Sequence, residues 1–440
     1  MTPRMCQPLY AWTIATALIA GALATAASTI GTNPPAEPLA KNRVLLLPLR
    51  DRASWLGYLE HSARQRQADK DFLKAELKRA GIEKPTEPPK GYSARSIPLD
   101  RDAAWYSGPE ARHIADVIVS FQTPAGGWGK NLDMSKEPRH VGEAFGPDNL
   151  SKFLAPGDFD APAEPDWNYV GTIDNDATTT QLNFLAKVIS AARGANEAAY
   201  HEAFLRGLSY LFQAQFPNGG WPQVWPLEGG YHDAITYNDD AMTQVVELMR
   251  KVADGRDEFS FAPQDFRERA ASSFARAIEC ILATQIVANG TPTAWPQQDD
   301  ALTLKPVSGR NYEPPVQCAS ESAGLLLLLM NDLPHPNAAQ QRSIRAAAAW
   351  LWKTAIYGQS WERAVEGRGL VASPNAPPIW ARYYQIGTDM PVFADRDKSI
   401  HDNVNDLSAE RRNGYAWYSS DAQRALDRFD KWSLEHPEPR

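Results

Sequence analysis

Two short stretches set carboxylates and amides side by side: "TIDNDATTTQ" at 172–181 and "YNDDAMTQ" at 237–244. Asp174, Asn175 and Asp176 in the first, and Asn238, Asp239 and Asp240 in the second, stand directly before runs that read as helix. Short oxygen-bearing side chains at such positions serve as N-caps. Two caps need at most two residues, however, and the four carboxylates among six such groups converging on one rim repel one another unless a cation sits among them. Hard oxygen donors of this kind suit Ca²⁺. Capping with solvated charge and calcium binding are both open for these blocks.

Against the acids stand basic residues in loops: Lys130 after a Gly-Gly-Trp, Arg310 in "KPVSGRNYEPP", Arg382 in "PIWARYYQ" and Arg396 in "FADRDK". Singly, each reads as a surface cation. Arg310 and Arg382 have Tyr312, Trp380 and Tyr383 as neighbours, and an arginine among aromatic rings is not an ordinary solvated charge. A rim carrying both sets of groups would bind an anionic ligand through a bridging metal and direct ion pairs.

The elements that must hold this rim are announced by a repeat. "FQTPAGGWGK" at 121–130 returns as "AQFPNGGWPQ" at 214–223, and "ATQIVANGTPTAWPQ" at 283–297 is a stretched third copy. Each follows a helical run and places Gln, a turn, glycine and Trp in the same order. The Gly127, Trp128, Gly220 and Trp221 positions read first as turn and packing. Apolar residues recur at helical spacing in Phe204, Leu208, Leu211 and Phe212, and again in Met242, Val245, Val246 and Met249. Helices are predicted over roughly 108–122, 176–194, 198–215, 239–254, 264–287, 317–333, 338–356 and 420–436, with "GLLLLLM" at 324–330 buried all round. Alternating strands are scarce. The expectation is an all-α fold, an α/α toroid of paired helices whose long loops form a groove.

The chain has 440 residues, 43% of them hydrophobic, enough for a large core, and a net charge of -8 that argues against a general nucleic-acid binder. Fourteen Trp and fifteen Tyr suit sugar-stacking surfaces as well as core, with core the first reading. Residues 1–27, with Arg4, an apolar stretch from Leu9 to about Ala24 and small residues after it, have the layout of a secretory leader. Residues 28–99 read as a proline-rich linker and a charged helical extension, and 100–440 as the main domain. Cys280 and Cys318 could pair in an oxidising compartment or remain buried thiols, and neither has metal-ligand spacing.

Eight strings in order, "QTPAGGWGKN", "TIDNDATTTQ", "YHDAITYNDDAM", "WPQQDDALTLKPVSGRNYEPP", "SES", "IWARYYQ", "PVFADRDK" and "ERRNGYAWY", resemble the pectate lyases of polysaccharide lyase family 10 over roughly 100–435. The resemblance implies the toroid, secretion or periplasmic residence, and calcium-dependent β-elimination of polygalacturonate by a monomer with no nucleic-acid or membrane partner. Position by position it implies Arg310 as catalytic base, Asp174, Asn175 and Asp239 as calcium ligands, and Lys130, Arg382, Arg396 and Tyr312 as substrate-binding residues. Calcium and arginines around a galacturonate carboxylate would stabilise the charge that develops when its C5 proton leaves. Free arginine is effectively always protonated, so Arg310 needs its pKa lowered by neighbouring cations and partial burial. Gly129 and Asp176 depart from the family pattern, and the extra carboxylate of Asp176 could tighten or relocate the metal.

Two rival readings remain. A toroidal glycoside hydrolase would use carboxylates such as Glu313 or Asp240 as acid and base without calcium. A non-catalytic pectin-binding protein would keep the fold and lack turnover.

Overall fold

The computed structural model describes residues 28–147, 154–155, 157–159, 161, 169–191, 197–364 and 367–437. The leader expected at 1–27 lies outside the described residues. Nine helices of twelve residues or more make up the scaffold among them: α1 (Leu49–Ala80), α2 (Pro109–Ser120), α3 (Thr179–Ala191), α4 (Glu197–Ala214), α5 (Ala241–Asp254), α6 (Gln264–Thr284), α7 (Ala319–Asp332), α8 (Ala338–Thr354) and α9 (Asp421–Glu435). Helices adjacent in sequence pack together, α3 on α4, α5 on α6 and α7 on α8, and α9 returns to lie on α7. None of the described helices is long and apolar enough to cross a membrane.

The recurring phrase is a joint, and it is built the same way each time. The Trp128 indole donates to Ile118 O at 2.7 Å, Trp221 to Leu211 O at 2.8 Å and Trp295 to Ile281 O at 2.7 Å, each closing off the last turn of the helix before it. Trp380 repeats the bond to Leu351 O at 2.7 Å in a turn that the sequence pattern did not reveal. All four rings are fully buried. The partner glutamine ties the turn to the next helix hairpin. Gln122 donates to Gly126 O and Ala203 O, Gln215 to Gly219 O and Ser273 O, and Gln285 to Thr293 O and Ser343 O. Gly126 and Gly219 have φ of 106° and 97°, and a Cβ at either would stand 2.7 and 2.2 Å from the carbonyl oxygens of Arg206 and Arg276. Only glycine fits there.

The all-α toroid expected from the pattern is corrected by the strands. Helix accounts for 49% of the described residues and strand for 13%. Among the described residues fifteen short strands form seven small antiparallel sheets. Most are two residues long, too short to show the alternation by which a strand is recognised in sequence. They matter because they fix the loops: Gly171–Thr172 pairs with Val224–Trp225, Ile235–Thr236 with Gln298–Asp299, Gln317–Cys318 with Tyr383–Tyr384, and Trp380–Ala381 with Tyr418–Ser419.

The stretch read as a linker is structured. Thr29–Thr32 is a strand paired with Ser399–His401. Helix α1 turns one stripe, Trp55, Tyr58, Ser62, Asp69, Leu73 and Glu76, onto the body of the protein. Trp55 and Tyr58 pack on Phe216 at ring distances of 5.4 and 5.2 Å, and the Tyr58 hydroxyl donates to Ala214 O at 2.8 Å. Cys280 and Cys318 are buried free thiols.

Candidate active site

Each acidic turn is launched by one of the small ladders. Asp174 follows the strand Gly171–Thr172, and Asn238 follows Ile235–Thr236. The two turns share a conformation: Asn175 and Asp176 have φ of 51° and 61°, and Asp239 and Asp240 have φ of 53° and 57°. Left-handed backbone is costly for residues with a Cβ, by roughly 1 kcal/mol or more each, and the duplicated asparagine and aspartate are the residue types that best tolerate it. Asp240, directly before α5, makes no side-chain cap bond, so capping does not account for the acid at that position.

Lys130, Asp174, Asn175, Asp239 and Arg310 line one cleft, with Glu313 beside Arg310. Lys130 Nζ donates to Asp174 Oδ2 at 2.5 Å. Burial opposes the charge of Asp174, and the Lys130 ammonium more than offsets it, so the carboxyl is held below its usual range. Its second oxygen, Oδ1, is buried and accepts no hydrogen bond. Desolvation in the cleft and the charge of Asp174 push Asp239 up to about 6. A buried carboxylate oxygen without a donor, in a cleft shared with a second carboxylate whose ionisation it opposes and with Asn175, is a donor set suited to a hard divalent cation. Among the described residues no three His, Cys, Asp or Glu side chains gather into a metal group of their own. A cation there would thus keep places for water or for a ligand's carboxylate.

Asp176, the departure noted in the sequence, is engaged elsewhere. It accepts from Tyr92 Oη at 2.7 Å and from Gln244 Nε2. His232, near the same cleft, is held neutral: burial and the Lys130 charge lower its pKa to about 3.

Arg310 departs from what its expected role asks. Its guanidinium donates to Glu313 Oε1 and its backbone N–H to Glu313 Oε2 at 2.8 Å. Burial alone would lower the guanidinium's pKa, but the Glu313 carboxylate prevails and raises it well above the ordinary value. The same pairing holds Glu313 low and ionised against its burial. A carboxyl kept ionised by an arginine is a poor general acid, so Glu313 does not suit the acid role in the hydrolase reading.

Arg382 lies to one side, in an adjoining cleft that also contains Asp239. It donates to Glu321 Oε1 at 2.8 Å and to Asn238 Oδ1 at 3.1 Å, and stands 3.8 Å from Asp239 Oδ1. Arg396 is bound to Glu410 at 2.8 Å and stacks on Tyr312. Tyr312 is only 3% exposed, and three guanidiniums, those of Arg310, Arg396 and Arg411, lie 4.9, 5.2 and 4.2 Å from its ring centre. It serves as a platform for cations and offers little surface to a ligand. Residues that the sequence reading did not single out complete the setting: Gln297 donates to Asn238 Oδ1 at 2.5 Å, and Tyr415 Oη donates to Glu313 Oε1 at 3.0 Å.

A family model described as pectic acid lyase matches residues 122–426, over half of the chain. No curated protein matches it. Among solved structures, a family 10 polysaccharide lyase from Cellvibrio cellulosa is 28% identical with a TM-score of 0.63, the match covering 78% of this chain and 99% of that one. An aspartate-to-alanine mutant of the family 10 lyase from the same organism, in complex with trigalacturonic acid, is 27% identical with a TM-score of 0.63 over 78% of this chain and 98% of that one. The chain belongs to the pectic acid lyase family and is a pectate lyase of polysaccharide lyase family 10.

Proposed function

We propose that this pectate lyase cleaves polygalacturonate by calcium-assisted β-elimination, with Arg310 as the group that takes the C5 proton. The observation that carries the reading is the gathering of Lys130, Asp174, Asn175, Asp239 and Arg310 around a single cleft. The trigalacturonic acid bound to the family 10 mutant supports an acidic oligosaccharide as ligand.

Asp174, Asn175 and Asp239 would hold the metal, and bound calcium would supply positive charge at the substrate carboxylate as the C5 carbanion develops. Lys130 and Arg382 bracket the same carboxylates and orient the acid group of the sugar. Arg396 extends the cationic track. Loss of the C5 proton to Arg310 leaves an electron pair that forms the C4–C5 double bond as the C4–O bond breaks, and the departing oxygen takes a proton. Because Glu313 stabilises the protonated guanidinium, the base form is scarce near neutrality. Turnover then climbs with pH through the alkaline range.

Polygalacturonate incubated with the enzyme should give an ultraviolet-absorbing unsaturated product that disappears on chelation and returns with added calcium. Reducing ends released without that absorbance, and unaffected by the chelator, would replace elimination by hydrolysis. The leader at 1–27 would deliver the enzyme to the periplasm or the medium. N-terminal sequencing of exported protein should then begin near residue 28, and an intact Met1 would contradict export.

A further inference from the structure

The turn that carries Arg310 is held from a part of the chain that lies outside the matched family region of 122–426. Asn33 is 1% exposed, and every polar group of its side chain is used. Its amide Nδ2 donates to Arg310 O at 3.1 Å and to Asn311 O at 2.9 Å, while its Oδ1 accepts from Ser308 Oγ at 2.6 Å. Its backbone N–H donates to Lys398 O at 2.8 Å, continuing the pairing of Thr29–Thr32 with Ser399–His401. Asn311, itself buried, donates from Nδ2 to Arg396 O at 2.6 Å. One asparagine thus fastens the Arg310 turn to the strand whose other neighbour carries the Arg396 turn.

The arrangement has a physical purpose that packing alone does not require. The segment 306–313 has no helix or strand of its own and would otherwise leave the carbonyls of Arg310 and Asn311 buried with fewer partners. A proton-accepting group displaced by about 1 Å can lose on the order of 100-fold in rate, so a turn bearing such a group gains from being clamped on its backbone side. The clamp must also leave the Arg310 side chain untouched, and on that residue Asn33 meets only the backbone carbonyl.

We infer that Asn33 is a positioning residue for Arg310, and that Thr29–Pro34 is a strap joining the two arginine turns of the active site. The inference rests on Arg310 acting in the reaction as proposed above. The strap reaches the reaction only through the Ser308 hydroxyl and the backbone carbonyls of Arg310 and Asn311, and it makes residues 29–34 part of the working enzyme.

The test compares the full chain with Asn33→Ala, Ser308→Ala, Arg310→Ala and, as a control, Asn337→Ala, which loses the cap of α8 far from the strap in sequence. Readouts are kcat and KM on polygalacturonate with saturating calcium, amide hydrogen exchange over 306–313, and melting temperature. Asn33→Ala should lower kcat on the order of tenfold with KM within about twofold, and should speed exchange in 306–313. Ser308→Ala should do the same to a smaller degree, and it stands in if Asn33→Ala fails to fold. Asn337→Ala should melt earlier with parental kcat and parental exchange in that turn. Parental kcat, or unchanged exchange, in the Asn33 and Ser308 variants would overturn the strap even with Arg310→Ala inactive. An active Arg310→Ala would remove the base assignment instead, and the exchange data would still report separately on whether the turn is tethered.

Discussion

Arg310 and Glu313 form a closed pair: one carboxylate accepts from both the guanidinium and the backbone N–H of Arg310, the latter at 2.8 Å. An arginine that must lose a proton is thereby kept protonated by its nearest partner. Removing the carboxylate while keeping its shape should free the base. Glu313→Gln should cause log kcat/KM to level off at a lower pH than in the parent, whose profile should still be rising with unit slope. A variant profile parallel to the parent's at every pH would show that Glu313 does not control the reacting group.

Asp239 is pushed up to about 6 by desolvation and by Asp174. A metal that needs this carboxylate ionised must compete with its proton below that value. Calcium affinity measured by calorimetry should fall as pH drops through about 6, with proton release visible as a buffer-dependent heat. Above it, calcium should raise the melting temperature. Asp174→Ala should weaken binding by at least about tenfold. A calcium affinity independent of pH between about 5 and about 8 would place the metal elsewhere.

Asp69, fully buried on α1, has a carboxyl pushed up to about 7 by burial, partly offset by the amide of Gln65. A folded pKa above the unfolded one stabilises below the unfolded pKa, and that stability is lost as pH rises through the folded pKa. The protein should therefore lose stability between about pH 4 and about pH 7 through this group. Asp69→Asn should narrow the drop in melting temperature between about pH 5 and about pH 9, and an unaltered drop would contradict the assignment.

At the helix joints, Gly219 combines a φ of 97° with a carbonyl 2.2 Å from where a Cβ would sit. Gly219→Ala should cost about 2–4 kcal/mol in a denaturant titration, since strain and clash add at one site. Gly358, with a φ of 72° and open space around it, should cost less on the same change. Equal effects would mean that the close approach to Arg276 is unimportant.

Much of this was legible in the sequence because it was repeated. The Gln and Trp phrase marked three of the four indole joints, and the paired acidic blocks marked two turns that share a left-handed backbone. The fourth joint, at Trp380, lacks the closely spaced Gln, turn and glycine that announced the others. The all-α expectation failed because two-residue strands leave no periodic trace, although those ladders aim Asp174 and Asn238 into the site. Asn33 lay in a proline-rich stretch whose composition reads as linker, and its partners are over 270 residues away. Glu313 was visible three residues from Arg310, but its capture of the guanidinium depends on a turn that spacing alone does not specify.

The central claim is that Arg310 removes the proton in a cleft whose calcium and cations stabilise the resulting charge. Its most direct test is kcat on polygalacturonate at saturating calcium for Arg310→Ala, taken together with the affinity of the same protein for trigalacturonate. The account predicts a kcat loss on the order of 10³-fold with Kd within about fivefold of the parent. Turnover at the parental rate by Arg310→Ala would contradict it.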